Sequence, residues 1–371
     1  MKLSVLQENL ATALTHVSRF VTTKAQLPIL GHVLLSTDSG RLKLSATNLE
    51  MGINYTIGAK IDTEGSLTLP AKDITEFVSY LSPGKIDLSL DDKRLLSVVS
   101  PRAKTLFATQ PASDFPAIST PAEHQFEIDS DIFVNSLSEV IPAAATDDSR
   151  PLLTAVLCRF SSDEIELVAT DGFRLSQKTI KLVNPISLPA DFPVVYLPSK
   201  TLLEVTRLVK SNSKLTIGLS TNQNQVSFIF DQVELTTRIL EGLYPDYQKI
   251  IPTEFATKIT LSRDDLLQAI KVSSVFARQS ANVVRFSLQK DHLTLSANAP
   301  QVGQNQVDVD CRLDGEPLDI AFNYKFVSDF LSFCHGSEIV IHLNQPLSPT
   351  LFSDSSDPHL VHIIMPVRLQ D

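Results

Sequence analysis

The chain has 371 residues, with 32 Lys and Arg against 42 Asp and Glu and a formal charge of −10. That length predicts two or three domains at roughly 100–200 residues each, and 43% hydrophobic with 20% charged residues excludes a disordered or fibrous chain. No stretch reaches the roughly 18–20 apolar residues of a membrane span. MKLSVLQENL also lacks the apolar core and cleavage site of a signal peptide, so a cytoplasmic protein without a membrane partner is expected.

Slid along itself, the sequence shows one pattern three times. The first pass opens with strand KLSV and helix QENLATALTHVSRFV, where Leu10, Leu14, Val17 and Val21 share one helical face. Strands closing on GRLKLSATNLEM follow, then a strand-to-helix unit LTLPAKDITEFVSYL, further alternating strands and the segment SDFPAI. The second pass runs FEID, SDIFVNSLSEVIPAA, DEIELVATDGFR, VYLPSKTLLEVTRLV and YPDYQKIIP, with Ser130 or Asp131 as N-cap and Phe133, Leu137, Val140 and Ala144 on one face. The third runs ITLS, RDDLLQAIKVSSVFA, DHLTLSANAPQV, IAFNYKFVSDFLSF and IIMPVRL, its first helix led by Ser262 with Asp264 and Asp265 at the positive end. Ala46, Ala169 and Ala297 fall in register, as do Lys72, Lys200 and Lys325. The pattern predicts three β-α-β-β-β-α-β-β units, residues 1–123, 124–253 and 254–371. The fold class is α+β with mostly antiparallel sheets and two helices per repeat.

The acidic balance argues against simple nucleic-acid binding, which rests on Lys and Arg. By repeat the net charges are 0, −5 and −5. The predicted helices nevertheless carry several basic residues, and three lysines in register suggest a shared purpose. Cys158, Cys311 and Cys334, odd in number and without C-x-x-C spacing, read as buried free thiols rather than a disulfide or zinc framework. His359 and His362 in the strand HLVHIIMP fall on opposite faces and read as ordinary surface residues, not a metal pair. No G-x-x-x-x-G-K-[ST], G-x-G-x-x-G or G-x-S-x-G occurs, so an enzyme reading lacks a starting point and no cofactor is expected.

ATDGFRL in the middle repeat, LPILGHVLL in the first, YPDYQKIIP at the second boundary and MPVRL near the C-terminus resemble the bacterial sliding clamp family, the β subunit of the replicative DNA polymerase III. The resemblance runs in the same order over essentially the whole chain. It implies a six-domain ring built as a head-to-tail homodimer, helices lining a channel around duplex DNA, sheets outside, and no catalytic activity. The implied partners are double-stranded DNA without sequence preference, the DNA polymerase III catalytic subunit, the clamp loader and other clamp-binding replication and repair proteins. A ring that holds DNA by topology needs few phosphate contacts, which suits an acidic chain. The alternative is a repeat scaffold that binds proteins without encircling DNA.

Motif matching places the family's hydrophobic partner-peptide pocket on Leu153, Thr170, Gly172, Phe173, Arg174, Leu175, Pro245, Ile250, Asn323, Leu347, Ile363, Met365, Pro366 and Arg368. Taken alone, ATDGFRL reads as a β-hairpin with an Asp-Gly turn. DNA-facing residues by the same match are Lys24, Lys72, Arg150, Lys200 and Lys325. The dimer surface falls on Arg102, Lys104, Thr105 and Phe107 against Val275 and Phe276. Phe173, Lys249 and Ala281 stand where the family often has His, Arg and a large aromatic. QVGQNQVD stands where it has a run of carboxylates, so apolar contacts are expected to carry more of the dimer.

Overall fold

The computed structural model describes residues 1–22, 27–118, 124–147, 149–188, 193–220 and 224–368. The first pass forms β1 (Lys2–Leu6), α1 (Gln7–Val17), β2 (His32–Asp38), β3 (Arg41–Thr47), β4 (Met51–Gly58), β5 (Lys60–Thr63), β6 (Ser66–Pro70), α2 (Ala71–Tyr80), β7 (Lys85–Leu90), β8 (Leu95–Val99) and β9 (Lys104–Ala108). The second forms β10 (His124–Asp129), α3 (Ser130–Val140), β11 (Ala155–Phe160), β12 (Glu164–Thr170), β13 (Arg174–Lys181), β14 (Val195–Pro198), α4 (Ser199–Leu208), β15 (Lys214–Ser220), β16 (Gln225–Phe230) and β17 (Val233–Arg238). The third forms β18 (Thr257–Ser262), α5 (Arg263–Ala277), β19 (Val283–Leu288), β20 (His292–Ala299), β21 (Gly303–Asp314), β22 (Leu318–Asn323), α6 (Tyr324–Phe333), β23 (Glu338–Leu343), β24 (Thr350–Asp354) and β25 (Leu360–Ile364).

The fold is α+β with two helices per pass, as expected, but the expected unit was one strand short after its second helix and short between the helices, by two strands in the first pass and by one in the others. Between the helices, the strand omitted in every pass follows the in-register alanine: β4, β13 and β21. RLSQKTIK and GQNQVDVDCRLD carry many polar side chains, and a strand so composed gives a weak apolar alternation.

The chain forms two compact units, Met1–Asp131 with Arg207–Ile239, and Ile132–Thr206 with Leu240–Asp371. The first unit holds a five-stranded sheet, β5-β1-β7-β8-β9, and an eight-stranded sheet, β10-β15-β16-β17-β4-β3-β2-β6. The second holds one twelve-stranded sheet, β14-β11-β12-β13-β25-β24-β23-β18-β21-β20-β19-β22. Every pairing is antiparallel, and one rule recurs. The last strand of a pass pairs with the third post-helix strand of the pass before it: β17 on β4, Thr237 opposite Met51, and β25 on β13, Ile364 opposite Arg174. Among the described residues β9 has a ladder only with β8, and the Gly303–Asp310 stretch of β21 has one only with β20.

Within the first unit α1 buries Leu10, Leu14 and Val17 and packs on β3, β4 and α2; the helix ends at Val17, so Val21 falls beyond it. Phe133, Leu137, Val140 and Ala144 are buried as the spacing predicts. Ser130 and Asp131 occupy the first turn of α3 rather than its cap. Ser262 caps α5, its side chain accepting from Asp265 N at 3.3 Å. In the second unit α5 packs on β20, β21 and α6, over a core of phenylalanine rings. Phe322 meets Phe286 and Phe352 edge-on at 5.1 and 5.4 Å. Cys158 and Cys334 are buried free thiols, whereas Cys311 is only partly covered.

A charged triad ties the middle and third passes inside this unit. Lys178 Nζ on β13 lies 2.8 Å from Glu139 Oε2 on α3 and bonds Asp357, in the turn before β25. Burial pushes the Glu139 carboxyl up despite the lysine. Burial opposes the Lys178 ammonium, yet its bonds to Asp357 and Glu139 hold it above an ordinary lysine. Removing the cation leaves a buried carboxylate unpaired, so Lys178→Met is expected to cost about 3 kcal/mol. Thermal unfolding will show this as a lowered Tm, and Glu139→Gln added to Lys178→Met will recover part of it.

Candidate partner-peptide site

The turn joining β12 to β13 is held by its own side chains. Asp171 Oδ1 accepts from Phe173 N at 2.8 Å and Arg174 N at 3.0 Å. Thr170 Oγ1 accepts from Gly172 N at 3.1 Å and donates to Arg174 O at 2.6 Å. Gly172 sits at φ +90°, a left-handed backbone that favours glycine, and a Cβ there would meet only the movable end of Arg150, its Nη1 at 3.1 Å. The hairpin expected from ATDGFRL is thus present, and it presents Phe173 with 61% of its surface exposed.

Arg174 is fixed on three sides. Its Nε donates to Asp171 Oδ2 at 3.1 Å, its Nη1 donates to Asp329 Oδ2 at 2.5 Å on α6, and its guanidinium lies 4.5 Å from the Phe326 ring centroid. The C-terminal segment crosses beside it. Met365 N donates to Phe173 O at 2.8 Å, and Val367 N donates to Ala321 O at 2.7 Å on β22. Leu347, 56% exposed, lines a shallow pocket with Pro346, Ile320, Ala321, Val367 and Arg368.

The structure therefore brings Thr170–Leu175 alongside Ile363–Met365, and Leu347 together with Arg368. Leu175 and Ile363 face each other across the ladder and are buried in a cluster with Tyr247. Thr170 and Leu153 are likewise buried. Ile250 closes the short turn Tyr247–Ile250, two residues after Pro245 on the same segment, and is partly exposed. Asn323 caps α6, its Oδ1 accepting from Lys325 N at 3.0 Å.

The other predicted sets lie elsewhere. Lys72, Lys200 and Lys325 are each the second residue of their helix, α2, α4 and α6, and all are exposed. Arg150 donates to Asp171 O at 3.1 Å, which puts it against the Phe173 turn. Lys24 lies outside the described residues. Lys104, Thr105 and Phe107 stand on β9, with Arg102 in the turn before it, and Phe107 packs edge-on against Phe77 at 5.4 Å. Val275 and Phe276 are in the last turn of α5, Val275 exposed.

Three models of the DNA polymerase III β subunit match in succession: the N-terminal domain over residues 1–119, the central domain over 127–246 and the C-terminal domain over 248–368. The chain belongs to the DNA polymerase III β-subunit family. The β sliding clamp of Synechococcus elongatus is 33% identical over 379 residues, all of both chains. The crystal structure of the Bacillus subtilis sliding clamp matches with TM-score 0.93 at 26% identity over 100% of both chains. That of the Bartonella birtlesii clamp bound to griselimycin gives the same 0.93 and 26% over 100% of both. As a β sliding clamp the chain is a non-catalytic processivity factor of DNA replication built from three clamp domains.

Sequence reasoning missed the residues that back the clamp's Phe173 turn. His362 is fully buried, not a surface residue. It alternates with Leu360 and Ile364 on the inward face of β25, a pattern that could have revealed it. Its Nδ1 lies 2.6 Å from Ser176 Oγ, and its ring stacks on Phe330 at 5.0 Å. Asp329 and Phe326, the supports of Arg174, gave no signal, since each is an ordinary residue on an amphipathic helix. Burial, with Arg174 adding repulsion, lowers the His362 pKa to about 3. The unfolded chain then binds a proton that the folded one refuses, so this contribution is complete above pH 6.5 and declines as pH falls toward 3. At pH 5 the loss is about 2 kcal/mol, at 1.36 kcal/mol per unit. His362→Gln is expected to flatten the fall of Tm between pH 7 and pH 5.

Proposed function

We propose that two copies of the chain close head to tail into a six-domain ring around duplex DNA in the bacterial cytoplasm, the domains being 1–123, 124–253 and 254–371. The supporting observation is the strand rule. β17 completes β4 and β25 completes β13, so β9 and the free edge of β21 are the remaining members of the same series. An edge strand left with open N–H and C=O groups is a template for another chain. In a head-to-tail dimer β9 of each copy meets β21 of the other, and the series closes. Along that free edge Gln304, Asn305 and Gln306 precede the first carboxylate, Asp308, so Arg102 and Lys104 meet few acids there. Exposed Leu106, Val272 and Val275 supply the apolar area, at about 25 cal/mol per Å².

The lysines at the second position of α2, α4 and α6 support the DNA reading. A cation at a helix N-terminus opposes the macrodipole, and its recurrence in all three passes fits a phosphate-facing role with no sequence preference. Phe173, Ile250 and Leu347, with Arg174 and Arg368 beside them, suit short Leu- and Phe-bearing segments of the polymerase III catalytic subunit, the clamp loader and repair proteins.

Light scattering at micromolar concentration is expected to give about 82 kDa, twice 40.8 kDa; a mass near 40.8 kDa would overturn the ring. Clamps loaded on a nicked plasmid are expected to stay on the circle and to run off once it is cut. A fluorescein-labelled peptide bearing Leu and Phe is expected to bind about tenfold more weakly to Phe173→Ala/Leu347→Ala.

A further inference from the structure

Inside the first unit, a second turn repeats the bonding of the Phe173 turn. Thr47 Oγ1 donates to Met51 O at 2.9 Å and accepts from Leu49 N at 3.0 Å. Asn48 Oδ1 accepts from Glu50 N at 3.0 Å and Met51 N at 2.9 Å. Arg238 N donates to Glu50 O at 2.9 Å, as Met365 N donates to Phe173 O. The same five bonds therefore hold both turns, with Asn48 in the role of Asp171 and β17 in the role of β25.

The side chains differ in a way the fold does not require. Where the other turn has Gly172 at φ +90°, this one has Leu49 at φ +76°. A left-handed backbone is strained for leucine, which has neither glycine's freedom nor the local hydrogen bonds of Asn or Asp. Its side chain is 44% exposed, so burial within the chain offsets little of that strain. Leu49 borders a pocket with Met51 and Ile118, and Ile118 lies against Gly52, where a Cβ would fall 3.0 Å from its Cγ2. Glu50 and Arg238, both exposed, stand on the rim in the places of Phe173 and Met365.

We propose that this pocket is a second docking site, for an extended segment of a partner protein carrying an apolar residue between a basic and an acidic one. The apolar side chain packs on Leu49, the basic residue meets Glu50 and the acidic one meets Arg238. The chemistry rests on reading the Phe173 turn as a docking site. The strain at Leu49 and the opposed charges are independent of that reading. The two pockets share a backbone and differ in side chains, so they select different segments.

The probe is fluorescein-Gly-Gly-Lys-Leu-Asp, titrated by anisotropy against the full-length protein. Glu50→Lys and Arg238→Glu are each expected to weaken binding at least fivefold, while Phe173→Ala/Leu347→Ala leaves it within twofold. Leu49→Asn, which suits the left-handed backbone, is expected to raise Tm while weakening the probe. Stability and binding then move in opposite directions, which a packing role for Leu49 would not produce. No binding by the wild type, binding unaffected by Glu50→Lys, or loss confined to Phe173→Ala/Leu347→Ala would overturn the site and leave the turn as a relic of repetition. The Leu- and Phe-bearing peptide reports on the Phe173 pocket separately, so either pocket can fail alone.

Discussion

Hydrogen bonding at strand edges is the constraint around which this molecule is organised. A β-strand buried at a sheet's interior must find partners for its N–H and C=O groups on both sides. Here each pass leaves the outer edge of its third post-helix strand open, and the last strand of the next pass fills it. That single rule makes β17 part of the sheet of β4 and β25 part of the sheet of β13. It also explains why the compact units do not coincide with the sequence repeats. The middle repeat is shared out, β10 and β15–β17 to one unit and β11–β14 to the other, because its strands complete sheets belonging to both neighbours.

Much of this was legible in the residues. Apolar spacing located α1 and α3, the threefold repeat placed the other four helices, and Ala46, Ala169 and Ala297, all buried, set the repeat register. What escaped has physical reasons. β13 and β21 are rich in polar side chains and stand out little from loop. Lys178, Glu139 and Asp357 are far apart in sequence, and no local pattern announces that they meet. The split into two units depends on which edges pair, a property of strand order rather than of any segment. His362 escaped because a histidine was weighed by its type instead of by the alternation around it, although Leu360 and Ile364 flank it on the inward face.

At the Phe173 turn, the residues that the sequence grouped together divide between core and surface. Leu175 and Ile363 lie in the core, where they hold β13 against β25. Arg174 is committed to Asp171, Asp329 and Phe326, so its charge serves first to brace the turn against α6. Exposed apolar surface falls instead to Phe173 and Leu347, and burying such side chains against a partner is where affinity arises. The bracing keeps the turn in one shape, which reduces the ordering cost of any association there.

The turn spends its own amide groups in that bracing. The N–H groups of Gly172, Phe173 and Arg174 go to Thr170 and Asp171, and that of Met365 goes to Phe173. A ligand lying against this wall is therefore offered no main-chain donors by those four residues and cannot extend the sheet through them, unlike a peptide captured by strand addition. A ligand whose carbonyl groups facing this wall are replaced by linkers that cannot accept a hydrogen bond forfeits nothing to those four amides, and such a molecule can trade backbone polarity for rigidity.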